Sequence, residues 1–253
     1  MAAVFKYILP VEETHWKFNG SGETTFTWNY DTQSEDLLRL YSKGKQQQWD
    51  AEKRIDWSID VDPDDPMQVD ETVLPLYGTP LWHKMSQRQK SDLRYHAQVH
   101  NLSQFLHGEQ GALICAARIV QDVPTIESKF YAATQVMDEA RHVEAYRRLL
   151  TEKFRFVYPI SKPLQVLLEK ALTDKRWDFT YLGMQVLIEG LALAAFQRIR
   201  DYAKNPLCQA VNAYVMQDEA RHVAFGRLAL RDYYPELTDA ERREREDFVI
   251  EGS

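Results

Sequence analysis

The chain has 253 residues, with 38 acidic against 31 basic side chains and a formal charge of −7 when its 7 histidines are neutral. That balance argues against nonspecific nucleic-acid binding, which needs clustered Lys and Arg to displace phosphate counterions. At 44% hydrophobic and 27% charged the composition is that of an ordinary globular chain, long enough for a real core. No apolar run reaches the roughly 18–20 residues of a membrane span. The first ten residues lack the cationic start and long apolar core of a secretory signal. Cys115 and Cys208 read as free thiols in a reducing cytoplasm.

In chain order, residues 1–85 read as an irregular, aromatic-rich extension. Turn clusters stand at Asn19–Gly22 and Asp62–Pro66, and one helix is expected from Ser34 as N-cap to about Asp50. Its aromatic residues (Trp16, Phe18, Phe26, Trp28, Tyr30, Trp49, Trp57) indicate a segment that packs on something. From Ser86 the pattern is helical to about Val123, where Pro124 stops it; Gly108 and Gly111 are candidates for a kink. A second helix is expected over about 125–153. Ser161-Lys-Pro163 opens a short third, and a long one follows over about 174–204. Asn205-Pro206 opens another helix to about Tyr233. Thr238-Asp-Ala-Glu241 is a capping box for a charged final helix, expected to be short or cut off by the chain end. No strand run follows residue 86. The expectation is an all-α single domain: extension 1–85, helical bundle 86–234 and C-terminal helix 235–253, with two long helical hairpins at the centre.

An internal repeat carries the chemistry. Asp138-Glu-Ala-Arg-His-Val143 recurs as Asp218-Glu-Ala-Arg-His-Val223, an offset of 80. The same offset pairs Glu109 with Glu189, Ala112 with Ala192, Arg118 with Arg198 and Arg147 with Arg227, so it spans both helices of each hairpin. Glu139 and His142, like Glu219 and His222, are i and i+3 and share a helix face. The first Glu of each half lies 30 residues before the second, room for a helix to finish, turn and return. Two such hairpins face to face would bring four Glu and two His together in the bundle core, the ligand pattern of di-iron and di-manganese carboxylate bundles.

Glu189 and Glu109 sit in apolar helices, where an ionised carboxylate is costly unless paired or metal-bound. Four carboxylates with neutral His balance two divalent cations, and O/N ligation without thiolate suits iron or manganese. Asp138 and Asp218 are expected behind the ligands, each accepting a ring N–H from a ligating His across the bundle, with Arg141 and Arg221 neutralising them. A lone Glu-x-x-His usually lies on a solvated helix face; two matched copies, each with a Glu 30 residues earlier in an apolar helix, point to metal.

These residues, Glu109, Glu139-Ala-Arg-His142, Glu189 and Glu219-Ala-Arg-His222, resemble the ferritin-like superfamily of non-haem di-iron carboxylate proteins. The Asp-Glu-x-Arg-His form is close to that of bacterial multicomponent monooxygenases and p-aminobenzoate N-oxygenase-like proteins. Residues 86–234 carry the resemblance. The stretch Lys43–Asp50 to Ile55–Ser58 also looks like ferritin-like oxygenase-type proteins. The resemblance implies a ferritin-like four-helix bundle with two Fe, alternatively Mn/Fe. It implies O2 activation and oxidation of a small-molecule substrate by hydroxylation, N-oxygenation or a related reaction, in a homodimer served by an external electron donor. Alternatives are an iron-binding ferroxidase, a non-catalytic interaction protein, and a radical-generating subunit like that of ribonucleotide reductase, using Tyr146.

Three positions depart from relatives. Monooxygenases often carry Thr one turn after the third Glu, where this chain has Leu193. N-oxygenases have an added His one turn before the fourth Glu, where this chain has Val215. Tyr146, four residues after His142, is matched in the other half by Gly226, and reads either as redox-active or as a core Tyr bonded to a ligand or to a group behind one.

His83, His96, His100 and His107 cluster upstream and read mainly as a solvated face, with a second metal site as the alternative. Gly108, Gly111, Gly190 and Gly226 permit either close helix packing or space for substrate. The run Glu241–Asp247 reads as a solvated face. There is no Gly-x-Gly-x-x-Gly fingerprint and no Cys set for an iron–sulfur cluster, so electrons would come from a reductase or from the substrate.

Overall fold

A computed structural model describes residues 24–27 and 32–252. Trp16, Phe18, Trp28, Tyr30 and the turn cluster at 19–22 lie outside the described residues. The fold is all-α and ferritin-like. Helix α1 (Glu35–Gln46) starts where Ser34 accepts the backbone N–H of Leu37. Short α2 (Ala51–Arg54) and α3 (Pro80–Lys84) follow. Then come α4 (Gln87–Asp122), opened by a Ser86/Gln89 capping box, and α5 (Ile126–Arg148), which runs on as π-helix over Leu149–Phe154. Helix α6 (Lys162–Thr173) leads to α7 (Trp177–Tyr181), a π segment (Leu182–Ile188) and α8 (Glu189–Tyr202). Helices α9 (Pro206–Tyr233) and α10 (Asp239–Gly252) complete the order.

Two antiparallel hairpins, α4/α5 and α8/α9, form the bundle, and α1 lies across α5 and α9. Among the described residues α4 and α8 barely touch, so one side of the bundle is splayed open. The core has two main ends. Leu102, Tyr146, Leu149, Phe196 and Val211 fill one; Ile119, Tyr131, Tyr181 and Phe225 fill the other. Burial of each such side chain stabilises by about 1.5–3 kcal/mol. The carboxylates and histidines of the repeat lie in the middle.

Helix α4 runs as one element through Gly108 and Gly111. The role of Gly111 is contact, because a Cβ there would collide with the Leu168 side chain of α6. The stretch Trp177–Tyr202 is, by length and composition, apolar enough to cross a membrane, contrary to the sequence reading. Half of it is buried in the protein, as in a core helix. The last helix is no stub: α10 has 14 residues, and Phe248 packs edge-on against Phe179. The charged run is not wholly solvated either. Arg245 is buried and pairs with Asp178 at 2.9 Å, while its neighbours stay exposed or half-exposed. Cys115 and Cys208 are buried free thiols.

Candidate metal centre

Six side chains meet at mid-bundle. Glu109 comes from α4, Glu139 and His142 from α5, Glu189 from α8, and Glu219 and His222 from α9; all are buried. They form two overlapping groups, Glu109/Glu139/His142/Glu219 and Glu139/Glu189/Glu219/His222, whose ligand atoms lie within 4.8 Å of one another. Glu139 and Glu219 belong to both. Glu139 turns Oε2 to His142 Nδ1 (3.2 Å) and Oε1 to His222 Nδ1 (3.0 Å). Glu219 does the converse, Oε1 to His142 Nδ1 (3.0 Å) and Oε2 to His222 Nδ1 (3.2 Å). Glu109 Oε2 adds a third oxygen at 3.1 Å from His142 Nδ1.

One ring nitrogen has one proton at most, so it cannot serve three carboxylate oxygens at once. The oxygens are instead arrayed around two common points. Glu189 Oε2 is buried without a hydrogen-bond partner. Four carboxylates, one of them with that orphaned oxygen, and two imidazoles fit two divalent ions, with Glu139 and Glu219 common to both groups.

The electrostatics agree. Burial, then the charge of Glu219, pushes the Glu109 and Glu189 carboxyls well above the usual range. Burial also acts on Glu139, but the two histidines outweigh it and hold that carboxyl low. Burial would lower both histidines. The carboxylates around them overcome it, Glu109 foremost at His142 and Glu139 at His222, and raise both well above the ordinary value. Without metal the cluster therefore holds protons where cations would sit.

Behind the imidazoles the halves are crossed. His142 Nε2 lies 3.1 Å from Asp218 Oδ2, and His222 Nε2 lies 3.3 Å from Asp138 Oδ2. A proton on Nε2 leaves each Nδ1 lone pair aimed at the centre. Arg141 pairs with Asp138 (2.5 Å) and Asp218 (2.9 Å), and Arg221 pairs with Asp218.

The residues after α1 close this layer. Gln47 Oε1 accepts from Arg221 (2.8 Å), Gln48 donates to Asp138 (2.7 Å), and the Trp49 indole donates to Asp218 (2.7 Å). The extension therefore buttresses the histidine side of the site. Sequence reasoning missed Gln135, one turn before Glu139, whose amide donates to Glu139 (3.0 Å) and Glu189 (2.8 Å). Its signal was a buried-face polar residue at i−4 from a ligand; the repeat partner is Val215.

Tyr146 is buried, and its hydroxyl donates to Asn212 Oδ1 (2.9 Å), not to a ligand or to a group behind one as expected. Its repeat partner Gly226 leaves room that Gln185 fills: a Cβ there would sit 2.6 Å from Gln185 Cβ. Gln185 belongs to the π segment just before Glu189, and π turns recur at functional sites. Gly108 and Gly190 have open space instead. The upstream histidines stay apart from the centre. His96 bonds the Tyr158 hydroxyl and His107 the Tyr158 carbonyl, both at 2.8 Å.

An apolar cavity of about 280 Å³ adjoins the centre. Glu109, Glu189 and Glu219 form its floor, and Phe105, Met184, Ile188 and Phe196 are among its walls. A site that pairs buried carboxylates and histidines with an adjoining apolar cavity can seat an organic molecule beside them.

Fold and site together define the class: ferritin-like non-haem di-iron oxidoreductases. The family model described as p-aminobenzoate N-oxygenase AurF matches residues 31–251, and the chain belongs to that family. Among solved structures, an R2-like ligand-binding oxidase from Sulfolobus acidocaldarius is similar with a TM-score of 0.52 and 17% identity, over 88% of this chain and 89% of that one. That likeness concerns the fold. No curated protein matches the sequence.

Proposed function

We propose that Glu109, Glu139, His142, Glu189, Glu219 and His222 hold two Fe, or a Mn/Fe pair. The centre uses O2 to oxidise a small organic molecule in the adjoining cavity, with N-oxygenation of an aromatic amine the foremost reaction. The observation that carries this reading is the shared pair Glu139 and Glu219, each turning one oxygen to either histidine. The family model supports the reaction type, being described by a p-aminobenzoate N-oxygenase.

When bound, the metals supply the electrons that reduce O2. The protein's own residues do the rest. Asp138 and Asp218 fix the Nε2 protons and so the imidazole orientation. Gln135 steadies Glu139 and Glu189. The apolar cavity walls favour an apolar occupant. Val215 replaces the added His of N-oxygenases, so this chain uses six ligands; Leu193 replaces a hydroxyl with an apolar group. Reducing equivalents come from an external donor.

The test is direct. Protein made under iron-replete conditions is assayed for metal, then given p-aminobenzoate, O2 and a chemical reductant, with products read by mass spectrometry. Two metals per chain and an N-oxygenated product are expected, both lost in Glu139→Gln. A chain that purifies without metal would overturn the reading.

A further inference from the structure

We infer that the substrate is an elongated apolar molecule with an anionic end, its apolar part beside Glu109 and Glu189 and its anion at Arg198. The inference deepens the oxygenase reading and rests on it. Its ground is the splayed side of the bundle. A second cavity of about 450 Å³ lies between α4 and α8, walled on the outside by the extension from Met67 to Pro75. It shares Gln104, Phe105 and Ala195 with the cavity at the centre. The lining residues recur every three or four positions along both helices, which run antiparallel, so the two cavities make one trough. Leu191 and Tyr202 line it while 62% and 60% exposed, large apolar side chains that an apolar ligand would cover.

The charge at the outer end is specific. Arg94 is engaged by Asp65 at 3.1 Å. Asp70 accepts the Thr72 N–H, and Lys204 lies near it. Arg198 lines the same cavity, and among the described residues it makes no ion pair. Its repeat partner Arg118 is fully used: it pairs with Asp122 at 3.0 Å and bonds the carbonyls of Leu172 and Asp174. The same side chain ties down a loop in one half and stands free at the trough in the other. A free guanidinium suits a carboxylate. Nine residues of α8 separate Glu189 from Arg198, about 13 Å of helix, the length that an occupant of the whole trough would span.

Binding, measured by calorimetry on protein of known metal content, tests this. The probes are phenyloctanoate, the length-matched phenyloctanol, and benzoate. Arg198→Ala should weaken phenyloctanoate by about tenfold or more and phenyloctanol by less than about twofold. Arg198→Lys should fall between wild type and Arg198→Ala. Phe105→Trp, which narrows the junction of the cavities, should weaken phenyloctanoate and spare benzoate. Equal phenyloctanoate affinity in wild type and Arg198→Ala would overturn the inference, as would the same Arg198 dependence for benzoate. Because no turnover is read, absent metal or absent arylamine oxidation would count against the oxygenase reading alone.

Discussion

Trp49 donates its indole N–H to Asp218 Oδ2 at 2.7 Å, and the same oxygen faces His142 Nε2 at 3.1 Å. A residue of the extension thus sets the orientation of a ligand almost a hundred positions further on. Trp49→Phe keeps a ring to stack on Tyr214 but removes the donor. Metal affinity should fall about 10–100-fold, with little change in helix content. Competition against a chelator, with circular dichroism alongside, measures both.

Shared and terminal carboxylates predict different losses. Glu189→Gln touches one group of ligands and should leave about one metal per chain. Glu139→Gln touches both groups and should leave almost none. Metal analysis after gel filtration separates these outcomes, and equal losses would contradict the sharing of Glu139 by both groups.

Proton release follows from the raised groups. Glu109, Glu189, His142 and His222 all hold protons more tightly than their free counterparts. Loading metal near neutral pH should therefore release protons, measurable by calorimetry in buffers of different ionisation heat.

The sign for the metal-free protein is also fixed. A raised group stabilises fully below its unfolded pKa, about 4.3 for Glu and 6.5 for His, and that stability is lost as pH rises through the folded value. Asp138, Asp218 and Glu139, held low, act only toward acid. Thermal melting of metal-free protein should fall as pH rises above about 6.5, and bound metal should flatten the trend. A rise toward alkaline pH without metal would contradict the assignment.

Two glycines next to the ligands should respond oppositely. Gly226→Ala forces its Cβ to 2.6 Å from Gln185 Cβ and should destabilise by about 1–3 kcal/mol. Gly190→Ala meets nothing within 4 Å and should stabilise by roughly 0.5–1 kcal/mol. Denaturant midpoints of the two variants settle the comparison.

The convergence of Glu109, Glu139, His142, Glu189, Glu219 and His222 was legible because a duplicated pattern reports one site twice. Asp138 and Asp218 were legible as partners for the same reason, crossing included. Gln135 was not, because its repeat partner is Val215 and the duplication is silent there. The π segment before Glu189 left no mark either, since one apolar run serves α- and π-geometry alike. Gln47 to Trp49 stood out in sequence without a visible role. Their meaning depends on where α1 crosses α5 and α9, and no local pattern encodes that crossing. The trough was hidden for a related reason: it arises from how far α4 and α8 stand apart.

The crossed Asp–His pairs make the halves of the repeat reciprocal. Each hairpin supplies the carboxylate behind the other's histidine, so neither fixes its own Nε2 proton. A lesion at Asp138 is felt at His222, on the other hairpin, more than at His142 one turn away. Positions 138 and 222 are thereby tied as one unit, as are 218 and 142, and the two halves of the repeat brace each other.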